Sequence, residues 1–131
     1  MFIDASALTA LLTDEKEARE LLARLQQSRT RMTSPLAVWE ATVSVARLLA
    51  LPVGKATEAL ENYLALMGIE VMAVPPSAAR IALGAFDRFG KGRHPARLNF
   101  GDCFAYACAR HVGQPLMFKG KDFPHTDIEA A

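Results

Sequence analysis

The chain has a mass of 14.2 kDa and 131 residues, 51% of them hydrophobic. That is enough to close one core without disulfides or a structural zinc. Fifteen Lys and Arg against 14 Asp and Glu leave a net charge of +1, which excludes a disordered acidic or basic tail protein. Any affinity for nucleic acid must therefore come from a local patch. The two cysteines, Cys103 and Cys108, make no disulfide framework. On a helix their spacing sets them about 140° apart, which argues against a bridge or a shared metal. Asp4 interrupts the first apolar run where a secretory signal needs continuity. No segment approaches the ~18 apolar residues of a membrane span. The expectation is one soluble cytoplasmic domain over residues 1–131 with no membrane partner.

In chain order, Phe2-Ile3 is a short apolar strand ending at Asp4, and a helix follows over Ala5 to Leu12. Asp14 is the expected N-cap of an amphipathic helix over Glu15 to Gln27, whose Ala18, Leu21, Leu22 and Leu25 recur at helical spacing. Thr30 to Thr33 reads as a second strand. Ser34-Pro35 is a strong helix start, an N-cap followed by proline at the first helical position. That helix is predicted to run to about Leu51, where Pro52 and Gly54 stop it. Further helices are predicted over Lys55 to Met67, Ser77 to Phe89 and Phe100 to Val112. Strands are predicted at Glu70 to Val74 and Leu116 to Phe118, with an edge strand at Thr126 to Ile128. Gly90 to Arg97 reads as a mobile loop. Short apolar strands alternating with helices predict an α/β fold with a parallel, helix-covered sheet.

Open parallel sheets place their sites at the carboxyl ends of the strands. Asp4 directly follows the first strand, and Asp122 comes just after the fourth. Asp102 lies at the start of the helix before that fourth strand, and Glu40 is less than two turns into the Ser34-Pro35 helix. Taken singly, Asp4 and Asp102 have a plain role as helix caps, and Asp122 as a turn residue. Glu40 is harder to explain that way. It is embedded among Leu36, Ala37, Val38, Trp39, Ala41 and Val43, and a carboxylate there is costly unless paired or metal-bound. Several carboxylates on one rim repel by about 4 kcal/mol per pair at 4 Å and an effective dielectric of 20. A divalent cation relieves that, and an all-oxygen donor set suits Mg²⁺ or Mn²⁺. Such ions serve chemistry on phosphate esters.

The segment from Arg88 to Arg97 adds Arg88, Lys91, Arg93 and Arg97 with no acid between them. Lys119 and Lys121 flank the turn before Asp122. Read functionally, these six are phosphate contacts around an acidic centre; read plainly, they are a solvated basic surface.

Four segments carry a resemblance: Met1-Phe2-Ile3-Asp4-Ala5-Ser6-Ala7-Leu8, Ser34-Pro35-Leu36-Ala37-Val38-Trp39-Glu40, Leu98-Asn99-Phe100-Gly101-Asp102-Cys103-Phe104-Ala105-Tyr106-Ala107 and Leu116-Met117-Phe118-Lys119-Gly120-Lys121-Asp122-Phe123. Together and in this order they resemble PIN-domain ribonucleases of the VapC type, toxins of bacterial toxin–antitoxin pairs. The resemblance implies a three-layer α/β/α fold around a mainly parallel sheet of four to five short strands. It implies Asp4, Glu40, Asp102 and Asp122 as an acidic quartet around Mg²⁺ or Mn²⁺, a subset in direct contact and the rest acting through water. Ser6 would support Asp4, and Asn99 would order the loop before Asp102. For the fourth acid Asp127 remains an alternative, although Asp122 follows the last strand more closely.

The implied reaction is endonucleolytic hydrolysis of RNA to 3′-hydroxyl and 5′-phosphate ends. The implied partners are the RNA substrate, a second copy of the chain and a VapB-like antitoxin. The apolar faces of Leu36 to Leu51 and Ala56 to Met67 are candidate contacts for these partners, or plain core. A non-cleaving RNA-binding module of the same fold is the alternative. A receiver-type signalling domain is disfavoured, because Val74-Pro75-Pro76 stands where its phosphoacceptor aspartate would follow the third strand.

Overall fold

In the computed structural model, which describes residues 1–131, four two-residue strands form one sheet. They are β1 (Phe2–Ile3), β2 (Met32–Thr33), β3 (Glu70–Val71) and β4 (Leu116–Met117). Their order is β3-β2-β1-β4 and every pairing is parallel. Phe2 aligns with Met32 on one side and with Leu116 on the other. The helices are α1 (Ala5–Leu12), α2 (Ala18–Gln27), α3 (Pro35–Leu48), α4 (Val53–Leu66), α5 (Ala78–Phe89) and α6 (Phe100–Val112). A 3-10 turn covers Phe123–His125. None of the helices is long and apolar enough to cross a membrane.

Strand alternation divides the interior into two cores. Phe2 and Leu116 face Ala82, Ala85 and Phe89 of α5 and Ala105, Tyr106 and Ala109 of α6. Ile3 and Met117 face Leu8, Leu21, Leu25, Ala41, Leu60 and Leu64 of the first four helices. Both strand pairs are fully buried, as a central parallel sheet covered on both faces requires. The result is the expected three-layer α/β/α arrangement. Because all strands run the same way, the residues that follow β1 and β4 emerge at one edge.

Beyond small shifts at element ends, with β3 stopping at Val71 rather than Val74, four expectations are corrected. Asp14 is not an N-cap: it sits at φ 52°, in the left-handed region that Asp tolerates. The Glu15 N–H donates to Ala10 O at 3.0 Å, the long bond of a Schellman closure of α1. Residues 15–17 are thereby left outside α2, which starts at Ala18. Likewise α3 ends at Leu48, not Leu51, because Ala50 turns left-handed at φ 50° and Leu51 N–H donates back to Ala46 O. Gly54 stops nothing; it lies inside α4, which Pro52 precedes.

The third difference is the predicted edge strand at 126–128, which does not form. Leu116 bridges Ala130 instead, with its N–H donating to Glu129 O at 2.8 Å. Asp127 is held elsewhere by Tyr106, Arg88 and Arg110, which prevents those residues from aligning with β4. Last, the Gly90–Arg97 loop is tied at its base rather than free. Lys91 N–H donates to Leu98 O, Leu98 N–H donates to Phe89 O, and His94 packs edge-on against Phe89 at 5.2 Å.

Candidate active site

At the end of β1 the chain turns into α1, and Asp4 makes the turn. It is 4% exposed, and its Oδ2 accepts from Ser6 N–H at 3.1 Å and Ser6 Oγ–H at 2.6 Å. The Ser6 hydroxyl in turn accepts from the Lys119 backbone N–H at 2.9 Å. One hydroxyl thus joins the carboxyl ends of β1 and β4. Asp102 occupies the first turn of α6 in a capping box. Its backbone N–H donates to Asn99 Oδ1 at 2.9 Å, and its Oδ2 accepts from Asn99 N–H at 3.0 Å. Both supporting residues expected from the sequence therefore hold their acids in place.

Glu40 reaches the same place from α3. Asp4, Glu40 and Asp102 line one open cavity of about 400 Å³, together with Ser6, Thr9, Glu15, Ser44, Arg47 and Lys119. Asp122 is exposed and does not line it, but its charge acts on Asp102. Asp127 does not line it either. Burial alone would raise it, but hydrogen bonds from Tyr106 Oη–H, Arg88 and Arg110 outweigh that and bring it down to about 2. Of the two candidates for the fourth acid, only the charge of Asp122 acts on Asp102. Asp127 instead ties the C-terminal segment to α5 and α6. We expect Asp127→Ala to lower the free energy of urea unfolding by about 1–2 kcal/mol.

Two residues not singled out in the sequence had a signal there: Ser44 and Arg47 stand at i+4 and i+7 from Glu40 on α3 and therefore share its face. Glu15 was assigned to a helix, and only the left-handed turn at Asp14 frees it. It pairs with Lys119 Nζ, which also lies 4.0 Å from Glu17 Oε2. Lys119, read from the sequence as a phosphate contact, is thus ion-paired at the edge of the acidic cavity. Arg88 pairs with Asp127 at 2.9 Å and Arg93 with Asp87 at 3.3 Å. Of the six predicted cations, Lys91, Arg97 and Lys121 are exposed outside any ion pair. None of the cations of the 88–97 loop lines the acidic cavity.

The three central acids are electrostatically frustrated. Burial raises Asp4 despite its bonds from Ser6. Burial, with the charges of Asp4 and Asp102 added, pushes Glu40 up to about 7. Burial also brings Asp102 to about 6, against its bond from Asn99 and with help from Asp4 and Asp122. No ion pair of the chain involves any of these three. Desolvated, mutually repelling hard-oxygen donors without a counter-charge fit a divalent cation. No three Asp, Glu, His or Cys side chains already close on a common point. A cation here would take a subset of the carboxylates and keep several of its waters, as Mg²⁺ does.

These raised values fix the sign of a pH effect. The folded protein binds more protons than the unfolded chain between the ordinary carboxylate range and about pH 7, so its metal-free stability falls as pH rises through that window. We expect unfolding in EDTA to require about 1–3 kcal/mol less at pH 8 than at pH 5, after discounting for the solvent Glu40 and Asp102 still see. Asp127 acts in the opposite sense only below pH 4, outside that window.

Comparison with known proteins agrees with this geometry. The PIN domain family model matches residues 1–129. Ribonuclease VapC30 of Mycobacterium tuberculosis is 40% identical over 128 residues, covering 98% of this chain and 95% of that one. Ribonuclease VapC of Mycolicibacterium smegmatis is 40% identical over 130 residues, covering 99% and 98%. A VapC ribonuclease of Rhizobium meliloti is 34% identical over 139 residues, covering 97% and 98%. Among solved structures, the sarcin–ricin-loop-cleaving toxin VapC20 of M. tuberculosis superposes with a TM-score of 0.77 at 17% identity, over 99% of this chain and 97% of that one. With a matching family model over nearly its whole length and an acidic centre at the carboxyl edge of its parallel sheet, the chain belongs to the PIN domain family.

Proposed function

We propose that this chain is an endoribonuclease, the toxin of a VapBC-like pair, cutting RNA in the cytoplasm with Mg²⁺ or Mn²⁺ at Asp4, Glu40 and Asp102. One observation carries the reading: three desolvated carboxylates from three separate elements line one cavity with no cation paired to them. The names of the relatives that match over nearly their full length support RNA as the substrate. They also support a VapB-like antitoxin as partner. We extend the proposal to a homodimer built from this single PIN domain.

In the proposed reaction water attacks phosphorus in line. The new P–O bond forms as the P–O3′ bond breaks, the 3′ oxygen takes a proton, and a 5′-phosphate remains. A divalent cation, when bound, supplies polarisation of the phosphoryl group and a lowered proton affinity for water. The protein's own groups do the positioning. Ser6 fixes Asp4, the Asn99 capping box fixes Asp102, and neither acid needs to reorganise during the reaction. Glu40 stands at about 7 in the metal-free protein, and a cation held beside it would bring it down and keep it an anionic donor at neutral pH. Arg47 lines the cavity outside any ion pair and supplies positive charge to the phosphate. Asp122 influences the centre through Asp102.

The test is incubation of the antitoxin-free protein with a pool of structured RNAs. Cutting should require Mg²⁺ or Mn²⁺, stop in EDTA and return on adding metal in excess. Products lacking 5′-phosphates, or cutting that persists in EDTA, would overturn the mechanism. RNA retention without cutting at any metal concentration would leave a binding module.

A further inference from the structure

Trp39 is the only tryptophan in the chain, and it stands 67% exposed one residue before Glu40. Phe100, on the first turn of α6, is 68% exposed and leans on Phe104 with ring centroids 4.9 Å apart. Both rings line a cleft of about 360 Å³ with Leu36, Glu40, Asn99 and Gly101, a size within the range of small-ligand sites. Glu40 lines this cleft and the acidic cavity alike. The two spaces therefore adjoin across one carboxylate.

We propose that this cleft is a stacking site for an unpaired RNA base next to the phosphate being cut; the proposal rests on the ribonuclease reading. A large aromatic ring left in water is costly unless something covers it. Stacking on such rings is how proteins hold single-stranded bases. The polar rim fits the same occupant. Asn99 spends Oδ1 on the α6 cap, and neither its Nδ2 nor the Trp39 Nε1 donates to any protein group. Glu40 accepts no hydrogen bond. Two donors and one acceptor around an aromatic slot match the mixed donor and acceptor edge of a base. The slot itself offers a phosphate no cation, whereas Arg47 lines the neighbouring cavity, so the backbone belongs on the Arg47 side and the base between the rings.

Because Trp39 is the sole tryptophan, its fluorescence reports this cleft alone. The protein is titrated in EDTA, where cutting is expected to stop, with a short single-stranded RNA. A matching sugar–phosphate strand without bases serves as control. RNA should quench Trp39 to saturation while the abasic strand leaves it nearly unchanged. Phe100→Ala should weaken the quenching titration about tenfold with an unchanged melting curve, since that ring is mostly in solvent. Equal quenching by both strands would overturn the stacking site. So would RNA binding seen by anisotropy of a labelled strand with Trp39 unaffected, and that result would leave the ribonuclease reading standing. A concentration-dependent spectral shift without RNA, matched by dimer in sedimentation, would assign the cleft to a second copy and overturn it too. Failure of both binding and metal-dependent cutting would remove the ribonuclease reading itself, and the stacking site with it.

Discussion

Asp102→Asn should reduce RNA cleavage by about 10³-fold and at the same time make the metal-free protein more stable. The loss follows from removing one of three charges on which cation binding depends, several kcal/mol of transition-state stabilisation. The gain follows from the frustration of the centre, where Asp102 is held up at about 6 by burial and by its acidic neighbours. Asparagine is the informative replacement because its side-chain oxygen still accepts from Asn99 N–H and preserves the capping box. At pH 8 in EDTA the variant should melt about 3 °C higher, roughly 1 kcal/mol, as a like-charge contact disappears. Asp4→Asn should behave the same way, since Ser6 can still donate to its oxygen. Paired cleavage assays and thermal melts decide the matter. A variant that melts lower, or a folded one that still cuts, would show that these acids are caps and not the reactive centre.

Gly101→Ala is expected to leave the fold intact and cost about 10²-fold in cleavage. A Cβ at this position would lie 2.5 Å from Glu40 Cδ and 2.6 Å from Oε2, and closer still to Oε1. The backbone around it has no reason to object. Gly101 sits inside α6 with an ordinary helical φ, where alanine is favoured by about 1 kcal/mol. What must move is the Glu40 carboxylate, and displacing a reacting group by an ångström is enough for a loss of that size. Glycine is thus the residue that lets a carboxylate on one helix rest against the first turn of another. A second readout separates positioning from mere crowding. Once Glu40 swings toward water its proton affinity should drop toward the ordinary carboxylate value, shrinking the difference in metal-free stability between pH 5 and pH 8. Full activity in the alanine variant, or an unchanged pH dependence alongside lost activity, would contradict the role assigned to Gly101.

The local signals in the chain determined most of the elements and all three central acids. Ser34-Pro35 starts α3 and Asn99 starts α6, because capping is decided within four residues. Asp4 and Asp102 were visible for the same reason, as acids at a strand end and a helix start, and Glu40 as a charge in an apolar stretch. Left-handed closures at Asp14 and Ala50 were not visible, since neither position carries the glycine that usually marks such a helix end. The first of these closures decides what Lys119 does. It leaves Glu15 free to pair across 104 residues with Lys119, a cation the sequence presents as unpaired. Asp127 changed meaning in the same way, from a possible fourth acid to the anchor of Tyr106, Arg88 and Arg110. Composition and short-range pattern set the strands, the helices and the presence of acids at one sheet edge. Which charges neutralise one another, and which three are left desolvated and unpaired, depends on distances between residues remote in sequence, and only the packed fold sets those.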